Sequence, residues 1–295
     1  MSKAGFLLLL GGFAWPIAAV ATDYSVDFER QSPMDSIQTA DWISLGFPGV
    51  GFVNGPERTL LDSQVAHGGT NSLRITFPEG AVGPSKGGYQ AAIQLAPAEQ
   101  YYLSYWLKFD RSFSWGNKEQ GGKLPGLAQG KLCSGGDICD GHNGFTARYM
   151  WRRDGAAVLY LYHMDKPHQW GEDFELTSPG HQPLFFTPGE WVNLVQRVRI
   201  NTNGDANGEV QVWVNGIEAL NLRSLRFVND GSKVDTFYLS AFHGGNTPDW
   251  GPLHESHIWI DDIQISVSNP GLPHHYDPTT MTPPLPRISM RPGLR

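Results

Sequence analysis

The chain has 295 residues, a formal charge of −7 and two cysteines. That length allows one large β domain or two smaller ones, with enough chain to bury a sizeable core. An acidic balance with no basic run or stripe argues against nucleic acid as a partner.

The chain opens MSKAGFLLLLGGFAWPIAAVATDYS, in which Lys3 precedes an apolar run and Ala19-Val20-Ala21 forms a small-x-small cleavage pattern. Residues 1–21 therefore read as a secretory signal peptide and the protein as secreted or periplasmic. A membrane anchor is the other reading, but Gly11, Gly12 and Pro16 interrupt a run already short for a spanning helix. Removing 1–21 takes away one lysine and no acid, so the charge moves from −7 to −8. No later segment is apolar enough to cross a bilayer, and no membrane association is expected after signal removal.

From there almost every periodic segment alternates with period two. Strands are expected over 24–29, 72–77, 89–95, 101–110, 190–201, 209–222, 234–245 and 256–267. Helical periodicity is nearly absent and no internal repeat is visible. Many short strands separated by turn residues imply an all-β fold, a two-sheet antiparallel sandwich or jelly roll, over residues 22–268. Residues 269–295 read as a Pro-rich tail without structure.

The informative stretch is 121–164. FTARYMWR and AVLYLYHM read as strands of a hairpin around Arg153-Asp154-Gly155. A three-residue loop, a type I turn with glycine in the left-handed position, sets Arg152 opposite Ala156. Counting outward, Arg148 then faces Tyr160 and Thr146 faces Tyr162, all on one side of the sheet. A two-residue Asp154-Gly155 loop would put Arg148 and the tyrosines on opposite faces. Cys133 and Cys139 close CSGGDIC, which in an exported protein reads as a local disulfide.

Other motifs carry less. The oxygen-rich 201–209 segment tempts a calcium reading but lacks the twelve-residue loop with its terminal glutamate, and a plain hairpin turn fits better. Asp261 and Asp262 are strand neighbours expected to point to opposite faces, so they cannot flank one bond. His254 and His257 lack the helical metalloprotease spacing, and His274-His275 lie in the tail. No serine-hydrolase elbow, P-loop or dinucleotide fingerprint occurs.

Arginine and tyrosines on an exposed sheet face can pair without any chemistry. With Lys123 on a neighbouring segment, the same set suits β-elimination in an acidic polysaccharide. Taking the C5 proton of a uronate puts charge into its carboxylate, which a lysine or arginine stabilises. A tyrosine, ordinarily near pKa ~10, is expected to ionise more easily beside those cations and to act as base or as acid toward O4. No metal or other cofactor is required.

GGKLPGL, GFTARYMWR, the following YLY and the later FHGG…W…IDD resemble polysaccharide lyase family 14 alginate lyases, and more faintly the glucuronan lyases, over roughly residues 85 to 267. The resemblance implies a β-jelly roll with a concave groove and endolytic β-elimination of uronate polymers. It places the family's lysine on Lys123, its arginine on Arg148 and its two tyrosines on Tyr160 and Tyr162. Two positions before the arginine the alginate lyases usually carry serine; here Thr146 keeps the hydroxyl and adds a methyl. Thr146 is expected to contact and orient the substrate, and Gln90 and His243 are expected to line the groove by similar placement.

In β-D-mannuronate and β-D-glucuronate the C5 proton and O4 share one side of the ring, so one group can be both base and acid. Guluronate places its leaving oxygen on the other side. The expected partner is an anionic uronate polysaccharide, mannuronate-containing alginate ahead of glucuronan, met by a monomer. Two other classes compete: a non-catalytic carbohydrate-binding sandwich, and a two-carboxylate glycosidase using Asp173 and Glu175.

Overall fold

The computed structural model describes residues 23–272 apart from 31, 33 and 34. The expected signal segment, the tail beyond 272 and His274-His275 lie outside the described residues. In chain order the elements are β1 (Tyr24–Val26), α1 (Thr39–Ser44), β2 (Gly49–Asn54), β3 (Thr59–Asp62), β4 (Ser72–Phe77), β5 (Tyr89–Ala98), β6 (Gln100–Phe109), β7 (Gly122–Ala128) and β8 (Thr146–Trp151). There follow β9 (Ala157–Tyr162), β10 (Glu172–Glu175), β11 (Trp191–Arg199), β12 (Gly208–Val214), β13 (Ile217–Leu225), β14 (Val234–His243) and β15 (Ser256–Ser266).

They form two antiparallel sheets. One runs β13-β12-β11-β6-β15-β4-β3, with β1 beside β15; the other runs β10-β9-β8-β7-β14-β5-β2. Alternation decides which side chains fill the space between them. Leu103, Tyr105 and Leu107 of β6 and Ile258 and Ile260 of β15 meet Tyr149 and Trp151 of β8 and Phe237 and Leu239 of β14 in one core. Each such side chain contributes roughly 1.5–3 kcal/mol on burial. The expected two-sheet sandwich is thus present.

The β8–β9 hairpin has the three-residue loop. Arg152 N–H donates to the Ala156 carbonyl at 2.8 Å, and Thr146 pairs with Tyr162 and Arg148 with Tyr160. The turn type differs from expectation, because Asp154 (φ 58°) is left-handed as well as Gly155 (φ 85°). Aspartate tolerates that region better than most residues, and Asp154 N–H is held by Gln120 Oε1 at 2.7 Å. Gly155 also lies under Trp115, whose ring would be 2.6 Å from a β-carbon.

β7 was not expected as a strand, since GKLPGLA carries a proline and two glycines. Its register shifts between Lys123 and Gly126, three positions on β7 matching two on β8. Pro125 lies in that bulge, where the missing N–H breaks no ladder bond, and its carbonyl accepts the Tyr105 hydroxyl at 3.1 Å. The short strands β2, β3 and β10 also escape sequence reading, as does six-residue α1. Residues 201–209 do connect two paired strands, β11 and β12.

One expectation is corrected. Asp262 (φ 47°) sits at a shift in the pairing of β15 with β6, which turns it back toward its neighbour's side. Asp261 Oδ2 accepts His67 N–H at 2.8 Å and Asp262 Oδ2 meets His67 Nδ1 at 2.6 Å. Both aspartates therefore anchor the same loop.

A β-carbon on Gly126 would sit 1.9 Å from the Ala147 carbonyl oxygen and 2.7 Å from Arg148 Cα. Gly126→Ala is expected to destabilise by about 1–3 kcal/mol, lowering Tm by roughly 2–12 °C. A melting curve matching wild type would show that β7 and β8 are not this closely packed.

Candidate active site

The site occupies the face of the β10-to-β2 sheet turned away from the core. Pairing carries one row across it: Tyr160 on β9, Arg148 on β8, Gly126 on β7, Tyr238 on β14 and Ala92 on β5. Because Gly126 has no side chain, Arg148 reaches across β7 to β14. Its Nη1 donates to Ser240 Oγ at 3.3 Å, and its guanidinium carbon lies 5.2 Å from the Tyr238 ring centroid. Arg148 Nε is buried without a hydrogen-bond partner.

The next row holds Val158, Met150, Lys123 and Phe242. Lys123 Nζ lies 2.8 Å from Met150 Sδ and 3.7 Å from the Tyr160 ring centroid. Burial, then the charges of Arg148 and Arg152, hold its amine well below the usual lysine range, against an opposing pull from Asp173. Arg152 lies 5.3 Å from the same tyrosine ring and is clamped by Asp173 through bonds of 2.7 and 2.8 Å. Lys123 is partly exposed, whereas Arg148 and both tyrosines are buried beneath it.

The two phenols are positioned by backbone. Gly171 N–H donates to Tyr160 Oη and Gly136 N–H to Tyr162 Oη, each at 3.0 Å. Burial, and next its hydrogen bond with Tyr162, raise the Tyr160 hydroxyl above the ordinary tyrosine range; Gly171 N–H and Arg152 act the other way without prevailing. At Tyr160, desolvation thus exceeds the effect of the nearby cations. The same burial pushes the Lys123 amine toward its neutral, proton-accepting form and the Tyr160 hydroxyl toward its phenol form.

The structure brings Lys123, Arg148, Tyr160 and Tyr162 together on one face. Gln90 shares that face three strands from Arg148, accepting from Asn54 Nδ2 at 3.2 Å and donating to the Tyr238 hydroxyl. Thr146 is wholly buried and its hydroxyl donates to the Cys133 carbonyl at 3.1 Å, so it anchors a loop where substrate contact was expected.

His243 corrects the groove-lining expectation. It faces the core, wholly buried, with the ring of Trp151 5.0 Å and that of Phe77 5.5 Å away, and burial lowers its pKa to about 4. The signal was readable, since Phe237, Leu239 and Ala241 set its parity. Cys133 and Cys139 form the expected disulfide, and its loop lies over Tyr162. Asp173, a candidate acid of the glycosidase reading, is held in the ion pair with Arg152, while Glu175 lies exposed on the short strand β10. Met150, Arg152, Tyr238 and Ser240 were missed, although period two from Arg148 points to Met150 and Arg152.

Among solved structures the chain is similar to the alginate lyase Aly36B, at 24% identity and TM-score 0.71 over 87% of this chain and all of the other. An Aly36B variant has been captured with an alginate trisaccharide and another with a tetrasaccharide. It is similar also to the marine alginate lyase from Aplysia kurodai (22%, TM-score 0.63, 80% and 98% covered). A third likeness is to the alginate lyase vAL-1 from Chlorella virus (17%, TM-score 0.61, 79% and 99% covered). A search of curated proteins found no match. These likenesses concern the fold; the model of the family Polysaccharide lyase 14 matches residues 65–263, which spans β4 through most of β15 and every strand that carries the site except β2. The chain belongs to that family and is a polysaccharide lyase.

Proposed function

We propose that the protein cleaves 4-O-linked uronate polymers, mannuronate-containing alginate in preference to glucuronan, by β-elimination outside the cytoplasm. The observation that carries the reading is the placement of Lys123, whose Nζ lies 2.8 Å from Met150 Sδ and 3.7 Å from the Tyr160 ring centroid, where burial and two guanidinium groups favour the neutral amine. It takes the C5 proton. The field of Arg148 beneath it stabilises the negative charge that passes into the uronate carboxylate. Elimination expels O4, which receives the proton now on Lys123, leaving a C4–C5 double bond. Tyr160, whose hydroxyl burial holds in the phenol form, donates a hydrogen bond to the sugar, with Tyr162 beside it.

A single group acting as base and then as acid requires H5 and O4 on one side of the ring, which mannuronate and glucuronate satisfy and guluronate does not. The alginate named for the similar solved structures favours mannuronate between the two. The Cys133–Cys139 disulfide fits an oxidising compartment.

Purified protein mixed with poly-mannuronate should generate absorbance near ~235 nm from the unsaturated sugar, at a rate at least about tenfold above that on poly-guluronate. No signal on any uronate polymer sinks the proposal. Lys123→Arg separates the possible roles of the lysine, because arginine keeps the charge and cannot deprotonate. The rate should fall by roughly 10²–10⁴, and near-wild-type turnover would assign Lys123 an electrostatic role only.

The pH profile follows from the same depression. Lys123 is competent only when neutral, so activity rises with pH through its folded value, well below the ordinary ~10.4. Arg152→Gln removes a like charge and leaves Asp173 unpaired. Both changes favour the ammonium, so the acidic limb should move to higher pH; a limb that stays or moves down contradicts the assignment.

A further inference from the structure

The loop from His163 to Gly171, between β9 and β10, places an indole next to the glycine that touches the tyrosine pair. Trp170 is 51% exposed in a protein that buries most of its large aromatics. One side of its ring lies against Gly136 of the disulfide loop, where a β-carbon would stand 3.0 Å from Cζ3. The next residue, Gly171, touches both tyrosines: a β-carbon there would be 2.6 Å from Tyr162 Cε2 and 2.7 Å from Tyr160 Cζ. The indole therefore begins where the phenols end.

The loop is braced in a way that holds this ring in place. His163 is buried and its Nε2 meets Glu172 Oε2 at 2.9 Å, tying the two ends together. Lys166 Nζ bonds the carbonyls of His168 and Gln169 at 2.9 and 2.7 Å, and it lies 5.1 Å from the Tyr162 ring centroid. Those bonds use two of the three donors an ammonium has. A solvent-facing aromatic, fixed before any ligand arrives and flanked by a cation with a donor remaining, matches a pyranose that has an apolar C–H face and a carboxylate.

We propose that Trp170 and Lys166 form a binding subsite for the uronate residue beyond the tyrosine pair, at the β10 end of the sheet face that carries the site. The sugar ring stacks on the indole and its carboxylate meets the ammonium. This rests on the uronate-polymer reading given above. The subsite acts on affinity for chains long enough to reach it, separately from the chemistry at Lys123.

The test compares wild type with Trp170→Ala, Trp170→Phe and Lys166→Met on poly-mannuronate and on a mannuronate trisaccharide. Trp170→Ala should raise KM on polymer about 5- to 20-fold, with a smaller change in kcat and a smaller KM effect on the trisaccharide; Trp170→Phe should recover part of the loss. Lys166→Met should raise KM in the same direction, more at low salt than at high salt.

A second arm uses Lys123→Ala, which binds without cleaving. Titration with mannuronate oligosaccharides should change tryptophan fluorescence, and adding Trp170→Phe should remove that change. This arm decides the matter even where Trp170→Ala melts early. Unaltered KM on polymer in the Trp170 variants, with the fluorescence change intact in Trp170→Phe, overturns the subsite and leaves the lyase reading standing. Absence of turnover by wild type overturns the lyase reading itself.

Discussion

Setting the partly buried amine of Lys123 close to two arginines disfavours its charged form. The sandwich accepts that constraint and builds around it. Arg148 lies across the side-chain-free surface of Gly126 onto the Tyr238 ring, and Arg152 has its charge answered by Asp173 on β10. Lys123, unlike Arg152, has no carboxylate paired with it. Its partners are a sulfur and a ring face, neither of which favours the ammonium as a carboxylate would.

The geometry is held from two sides. Below, the antiparallel ladder from β9 to β14 fixes which side chains share a row, and a shift of one residue in β8 against β9 would send Arg148 into the core. Above, two loops hold the phenolic oxygens through the N–H groups of Gly136 and Gly171. One of those loops is closed by a disulfide and the other by the His163–Glu172 pair. Backbone donors at both hydroxyls leave little rotational freedom to be lost when substrate binds.

Much of this was legible in the sequence because period two and turn chemistry are local signals. The hairpin register followed from counting outward from Arg153-Asp154-Gly155, and that count placed Arg148 opposite Tyr160. What stayed hidden depended on distant partners. β7 carries Pro125 and two glycines, and it is a strand because β8 and β14 complete its ladder. His243 was assigned to the groove by likeness of motif, while the apolar alternation of its own strand pointed to the core. The balance of burial and charge was hidden for the same reason: burial outweighs the neighbouring cations at Tyr160 and acts on Lys123 in the same direction as they do.

β10 has four residues, and three of them, Glu172, Asp173 and Glu175, are acids. Among the described residues it is also the outermost strand of the sheet that carries the site, and an edge strand of this kind invites another strand to pair with it. Its shortness and its charge discourage that pairing. Two of those acids have inward work as well, Asp173 on Arg152 and Glu172 on His163. Neutralising the edge would thus expose the protein to self-association and loosen the loop and the guanidinium at the site in one step, linking solubility to turnover through the same few side chains.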